Sequence, residues 1–310
     1  MSFTAKDVKE LREATGVGMM DCKKALSETD GDMEKAVVYL RERGLAAAAK
    51  KAGRITAEGV AIANVYDGIG VVIEVNAETD FVAKNDTFIE FANKTAEAVA
   101  INNPADVEAL LACNYPGSEK TIAEQLQELI LVIGENLSVR RFMRYSDGIS
   151  IPYIHGGGKI GVIINLEVSD IIDMNAITEL GKDLAMQAAA MRPIYLDSSS
   201  VDAKDLEKER EIQYNKAVED NKAKNLPEEK ARQIAENMVK GRMNKFYEEV
   251  CLLNQPYVKE NKLSVEKHVQ QVAKNLGGKI IVKAFTRFEK GEGIEKKKDD
   301  FAAEVASMVS

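Results

Sequence analysis

The sequence predicts an α+β protein whose core is built twice from antiparallel sheets, and three observations carry that reading. A strand motif recurs: Ile69-Gly70-Val71-Val72-Ile73 is matched by Ile160-Gly161-Val162-Ile163-Ile164. A helical pattern recurs behind it, Phe91-Ala92 to Pro104 against Leu180-Gly181 to Pro193. A closing strand recurs last, Val139-Arg140-Arg141-Phe142-Met143-Arg144-Tyr145 against Val282-Lys283-Ala284-Phe285-Thr286-Arg287-Phe288. The offsets are 91, 89 and 143, so the chain carries two tandem β-β-α-α-β units, the second with an insertion between its helices.

The first 54 residues stand apart as a small helical domain with its linker. Thr4 suits an N-cap, Asp7 completes an acidic capping box, and Phe3 with Val8 fits a hydrophobic staple. Val8 and Leu11 face inward on a helix ending near Ala14, and Thr15-Gly16-Val17-Gly18 breaks it. A second helix sets Met19, Cys22, Ala25 and Leu26 on one face, with Cys22 expected in the core; a third sets Met33, Ala36, Val37 and Leu40 on one stripe. Gly44 suits the C′ position that stops this helix. The Ala-rich basic stretch Leu45 to Gly53 then reads as a tether.

Residues 55–147 form the first core half. Two apolar runs flank Asp67-Gly68, a strong hairpin signal. A helix follows with Phe88, Phe91, Ala92, Thr95 and Val99 inward, then a second over about Thr121 to Ile133, then the strand ending at Tyr145. The second half occupies 148–200 and 246–290. Its insertion, 201–245, holds 11 basic and 10 acidic residues, is broken at Pro227, and places Ala231, Ile234, Ala235, Met238 and Phe246 at helical spacing. Two antiparallel charged helices are the simplest reading, with a solvated excursion lacking any partner as the alternative. Residues 291–310 form a C-terminal module with a last helix, Asp300 to Met308.

Composition narrows the function. The 310 residues are 45% hydrophobic and 30% charged, the balance of a globular chain of about two domains. The net charge of −8 argues against nucleic acid as the main partner, since phosphate binding needs a basic surface. No apolar run is long enough to span a membrane, and the N-terminus resembles no targeting peptide, so the cytoplasm is the expected compartment. Three scattered cysteines and two histidines offer no disulfide framework and no metal site. The third-strand residues Arg140, Arg141, Arg144, Lys283 and Arg287 leave a ribosome- or RNA-associated role as the runner-up, although a solvated sheet face accounts for them more simply.

Catalytic motifs fail on context. Gly156-Gly157-Gly158-Lys159-Ile160-Gly161 formally fits a dinucleotide loop, but a strand follows it where a helix is needed, so a hairpin turn is expected. The chain lacks G-x-S-x-G, G-x-x-x-x-G-K-[ST] and H-E-x-x-H. Neither an enzyme nor a cofactor is expected.

The segment that looks functional is Thr79-Asp80-Phe81-Val82-Ala83-Lys84-Asn85, between a strand and a helix. Asp80 is expected in the first helical turn, where it would complement the dipole. Phe81 and Val82 are large apolar groups where polar ones are expected. Either Phe81 caps the core of its own half or it serves a partner, and spacing leaves both open.

That segment resembles the signature of the bacterial elongation factor Ts family. So do Leu11-Arg12 to Leu26, Ala235-Glu236-Asn237-Met238-Val239-Lys240-Gly241-Arg242-Met243, and Arg287-Phe288-Glu289-Lys290-Gly291-Glu292-Gly293-Ile294-Glu295. The resemblance spans essentially the whole chain. It implies a ubiquitin-associated-like (UBA-like) three-helix domain, a two-part core, a coiled-coil hairpin and a C-terminal module. It implies guanine-nucleotide exchange on elongation factor Tu, with Asp80 and Phe81 in the stretch Thr79 to Val82 entering the partner's GTPase domain near its Mg²⁺ and phosphate site. Arg12, Met19 and Met20 would dock on that same domain, and His155 would contact another, although Gly156-Gly157-Gly158 departs from the commoner family pattern. No membrane and no stable nucleic-acid partner is implied; self-association through the helical hairpin stays open.

Overall fold

Three helices open the chain: α1 (Ala5–Thr15), α2 (Met19–Glu28) and α3 (Met33–Lys51). The computed structural model describes residues 3–171, 173–222 and 228–295; Ile172, Pro227 and the expected helix Asp300 to Met308 lie outside the described residues. Thr4 and Asp7 form a reciprocal capping box, the Asp7 carboxylate accepting the Thr4 N–H at 2.6 Å. Gly16, at φ +69°, ends α1 in the left-handed conformation that glycine adopts without strain. The bundle core is Val8, Leu11, Val17, Cys22, Ala25, Leu26, Ala36 and Leu40. Met19 and Val37, read as inward from their spacing, are exposed instead; small Ala25 and Ala36 let the helices close around a narrower stripe.

The third helix does not stop at Gly44. It runs on to Lys51, so the supposed tether is helix. Gly44 is buried inside it because another helix, described below, passes at that point: a Cβ there would sit 3.5 Å from the Gln127 carbonyl oxygen. A glycine that permits close approach looks, in sequence, like a glycine that ends a helix.

Next come β1 (Glu58–Tyr66) and β2 (Ile69–Ala77), paired antiparallel with Val60 opposite Val75 and Tyr66 opposite Ile69. Asp67 and Gly68 turn the hairpin at φ 48° and 83°. A 3-10 turn (Val82–Lys84) leads to α4 (Asp86–Asn102), α5 (Val107–Ala112), α6 (Ile122–Ile133) and β3 (Leu137–Tyr145). The sheet order is β1-β2-β3, covered by Phe88, Phe91, Ala92, Ala96 and Val99 of α4. Helix α6 is the one that meets Gly44: Arg41 pairs with Glu124, Lys51 Nζ donates to the Ile130 carbonyl at 3.5 Å, and Leu131 joins the bundle core.

The second copy begins with β4 (Ile149–His155) and β5 (Ile160–Ser169), then α7 (Met174–Met191), α8 (Ala203–Lys222) and α9 (Glu228–Val250). A small sheet of β6 (Pro256–Tyr257) and β7 (Glu260–Ser264), absent from the sequence reading, precedes α10 (Val265–Asn275) and β8 (Lys279–Glu289). Order β4-β5-β8 repeats that of the first sheet, and the whole is α+β. Helices α8 and α9 pack through Ala217, Ala235, Val239 and Met243, with Arg242 bonded to Asp220 at 2.6 Å.

The chain divides into two compact units. Of the described residues, the first holds 3–144, Ile154–Gly161 and 288–295; the second holds Tyr145–Tyr153 and those between Val162 and Arg287. In the first, Gly156, Gly157 and Gly158 all have positive φ and form the hairpin turn expected of them, Gly158 accepting the Ala61 N–H at 2.8 Å.

The cations of the third strands are only partly exposed and already have partners. Arg140 and Arg141 both bond the buried Glu74, and Arg144 donates to the Ala100 carbonyl through two nitrogens at 3.2 Å. Lys283 pairs with Asp147 and Glu167 within the second unit. An acidic chain pairs these cations internally.

Candidate functional site

The segment Thr79–Asn85 leaves β2 two residues past its end. It does not open a helix directly. Asn85 is the N-cap of α4, its side-chain oxygen accepting the Thr87 and Phe88 N–H groups at 2.9 and 3.3 Å. Asp86, not Asp80, is the acidic residue of the first helical turn. Asp80 lies upstream, ahead of the 3-10 turn.

That 3-10 turn is closed by a few backbone bonds of its own. Ala83 N donates to Thr79 O at 3.4 Å, Lys84 N to Phe81 O at 3.2 Å and Asn85 N to Val82 O at 2.9 Å. It splits the apolar residues between core and solvent. Val82 is 8% exposed and packs with the β1, β2 and α4 side chains; Phe81 beside it is 81% exposed. Phe81 therefore does not cap its own core. An aromatic ring left in water forgoes about 2–3 kcal/mol of burial free energy, which a partner can recover.

Asp80 stands next to that ring. Its carboxylate accepts from Lys84 Nζ at 2.8 Å, and this bond and the charge hold it below the usual carboxylate range. The turn thus presents an anion beside an exposed ring at neutral pH.

The turn is fastened from behind by groups far away in sequence. Glu135 accepts the Thr79 N–H at 3.0 Å and the Thr79 hydroxyl at 2.7 Å. Glu78 accepts the Asn136 N–H at 2.6 Å, and Arg54 Nη1 lies 3.3 Å from it. The two segments thus exchange carboxylates. Sequence reasoning missed Glu78 and Glu135, and no local signal could have found them, because the partners are 56 and 58 residues apart.

The remaining candidates sit elsewhere in the first unit. Met19 and Met20, in the first turn of α2, are 52% and 75% exposed, and Arg12 is exposed in the last turn of α1. His155 is exposed at the end of β4. So Thr79, Asp80, Phe81 and Val82 share one turn, the bundle carries Arg12, Met19 and Met20, and the same compact unit also holds His155. Cys22 is buried, where its thiol approaches the Val17 carbonyl at 3.5 Å and burial raises its pKa.

Among the described residues, no group of three or more His, Cys, Asp or Glu could hold a metal ion, and no helix is long and apolar enough to cross a membrane. A family model described as Elongation factor TS matches residues 78–292, beginning one residue before Thr79. The curated relatives include proteins named Elongation factor Ts from Clostridium perfringens (strain SM101 / Type A), 51% identical over 312 residues and 99% of both chains. Another from Syntrophotalea carbinolica is 49% identical over 310 residues, again 99% of both. One from Magnetococcus marinus is 48% identical over 311 residues, covering 100% of this chain and 99% of the relative.

Proposed function

The chain belongs to the elongation factor Ts family of translation elongation factors, and on that footing we propose that it is a guanine-nucleotide exchange factor for elongation factor Tu. The observation that carries the proposal is the Phe81 turn: a ring in solvent, an ionised Asp80 beside it, and Val82 anchoring both to a packed core. Asp80 and Phe81 enter the partner's GTPase domain beside its Mg²⁺ and phosphate site, while Thr79 and Val82 hold the turn. No bond is made or broken by this chain. It works in the cytoplasm, as a protein that binds a protein.

The action is a coupling problem. The factor binds the nucleotide-free GTPase more tightly than the loaded one, and linkage requires GDP to weaken the factor by the same ratio. A thousandfold weakening of GDP needs about 4 kcal/mol of differential binding. Burying one Phe contributes about 2–3 kcal/mol. The remainder comes from further contacts, so the interface is larger than the standard size of about 1,600 Å². Helices α1–α3, read as the family's UBA-like domain, dock through Arg12, Met19 and Met20; His155 meets a second domain of the partner. Helices α8 and α9 are read as the family's coiled-coil hairpin.

The RNA-associated alternative has little left to stand on, since Arg140, Arg141 and Arg144 are already bonded within the chain. The deciding measurement is release of fluorescent GDP from elongation factor Tu with and without this protein. Accelerated release at catalytic amounts supports the proposal; an unchanged release rate at stoichiometric amounts overturns it.

A further inference from the structure

We infer that Glu135 is a positioning residue for exchange: its double acceptor bond to Thr79 fixes the turn that presents Phe81, so it acts on the partner without touching it. The inference rests on the exchange reading for its functional consequence. A 3-10 turn of three residues is held by only a few weak backbone bonds and is not rigid alone. Its first carbonyl belongs to Thr79, which accepts from Ala83 at 3.4 Å, and the Thr79 hydroxyl also accepts the Val82 N–H at 3.4 Å. Thr79 is therefore the post on which the turn is wound. Glu135 takes both of the post's donors, the N–H at 3.0 Å and the O–H at 2.7 Å, on separate carboxylate oxygens.

A two-point bond fixes orientation as well as distance, and charge-assisted bonds to a carboxylate are stronger than neutral ones. The hydroxyl, having donated to Glu135, is left with its lone pairs toward the Val82 N–H. The chain runs outward from there: Glu135 orients Thr79, Thr79 orients Val82, and Val82 in the core sets where Phe81 projects. The reciprocal bond from Asn136 N–H to Glu78, at 2.6 Å, keeps Glu135 itself opposite the turn. Freed from the clamp, Phe81 would sample several directions, and productive insertion would wait on the right one.

The test measures labelled-GDP release from elongation factor Tu across factor concentrations, for the unmodified chain, Glu135→Ala, Phe81→Ala and the double variant. Glu135→Ala is expected to lower the maximal release rate about tenfold, with the half-saturating concentration changed less than about twofold, because docking elsewhere is intact. In the Phe81→Ala background the same change is expected to cost less than about twofold, since a residue acting through Phe81 has nothing left to position. Glu135→Gln keeps one acceptor and should fall between. Equal losses in both backgrounds, or none in either, would overturn the inference.

Amide exchange on the isolated chain supplies a second arm. Glu135→Ala should speed exchange at Ala83 and Lys84 at least tenfold while leaving the β1–β2 amides unchanged. Unchanged protection at the turn would overturn the clamp even if GDP release fell. If the unmodified chain itself released no GDP, the exchange reading would fail by itself, and the amide arm would still decide whether Glu135 fixes the turn.

Discussion

Arg141 meets Glu74 through Nε at 2.6 Å, on a carboxylate with no solvent exposure at all. Three other donors converge on the same carboxylate: Arg140 Nη1 at 2.9 Å, Asn76 Nδ2 at 3.0 Å and the Gly291 N–H at 2.7 Å. The arginines reach on to the segment after β8. Arg140 Nη2 donates to the Glu292 carbonyl at 2.6 Å, and Arg141 stacks over the Phe288 ring at 4.3 Å. One buried charge thus joins β2, β3 and residues 288–292.

Removing it should be costly. Glu74→Leu takes the buried carboxylate from two partly exposed guanidinium groups that keep only their Glu289 and Glu292 acceptors, and the loss should approach that of a broken buried pair, about 3–5 kcal/mol. Urea unfolding is expected to show a loss of that size, and proteases should cut near residues 288–295 before the rest of the chain. A loss below about 1 kcal/mol would mean that the arginines find water or new acceptors readily. Gly291→Ala tests the same join from the other side: at φ +68° a Cβ would lie 2.0 Å from the Ala57 carbonyl oxygen, so it too should destabilise.

What the sequence made legible was local. The Thr4–Asp7 box, the Asp67-Gly68 turn and the inward face of α4 are all encoded within a few residues, and each appears where its pattern puts it. The duplication itself was legible because repetition along the chain needs no partner to be seen. What failed needed knowledge of what lies across a gap. Alternation along β3 says which residues share a face, but not that Glu74 waits opposite Arg140 and Arg141, 66 and 67 residues away. The Phe81 turn was found from its unusual apolar pair, yet not the Glu135 clamp behind it.

Phe81→Ala should separate function from folding. The ring is exposed, so its loss should change unfolding free energy by less than about 0.5 kcal/mol. Its buried contribution in a complex, about 2–3 kcal/mol, converts to a fall of about 30- to 150-fold in stimulated GDP release. Stopped-flow release alongside a urea titration reads both quantities. A variant that releases GDP as fast as the unmodified chain would falsify the wedge.

The N-terminal bundle should affect a different parameter. Met19→Ala with Met20→Ala removes exposed docking surface and leaves the bundle core of Leu11, Cys22 and Leu26 in place. The half-saturating factor concentration should rise about tenfold or more, while the maximal release rate stays nearly constant, because uniform binding is lost. Deleting residues 1–53 is a poorer test: it uncovers Leu131 of α6, which packs in the bundle core, and so disturbs the first core half as well.

Acid should weaken the helix starts. Asp7 is held below the usual carboxylate range by its bonds to Thr4, Asp32 by its bonds to Lys35, and Glu124 by its bonds to Thr121 with Arg41 nearby. A carboxyl whose folded pKa is depressed adds stability that is complete above its unfolded value, about 4 for these groups. That stability drains away as pH falls through the lower folded values. Helical circular dichroism should therefore hold constant from pH 7 to about 5 and decline below about 4. Asp7→Asn with Asp32→Asn should flatten that acid limb, and an unaltered limb in the double variant would assign acid sensitivity to other carboxyls.

Gly44 offers the sharpest choice between two accounts of residues 45–51. If that stretch were a loose tether, no substitution at Gly44 would matter beyond its own helix end. In a continuous α3 lying on α6, the outcome depends on size. A Cβ at Gly44 would stand 3.5 Å from the Gln127 carbonyl oxygen, an ordinary contact, and 3.8 Å from Leu131 Cδ2. Alanine fits that space and removes a mid-helix glycine, which favours the folded state by about 0.8–1 kcal/mol. Leucine must push α6 away and should cost about 1–3 kcal/mol. Thermal melts should therefore move in opposite directions, up by a few degrees for Gly44→Ala and down for Gly44→Leu. Coupling to function follows from the same contact: the leucine variant, by loosening the bundle from α6, should raise the half-saturating concentration for exchange while the alanine variant leaves it alone. Two melts that move together, or neither moving, would return residues 45–51 to the status of a linker.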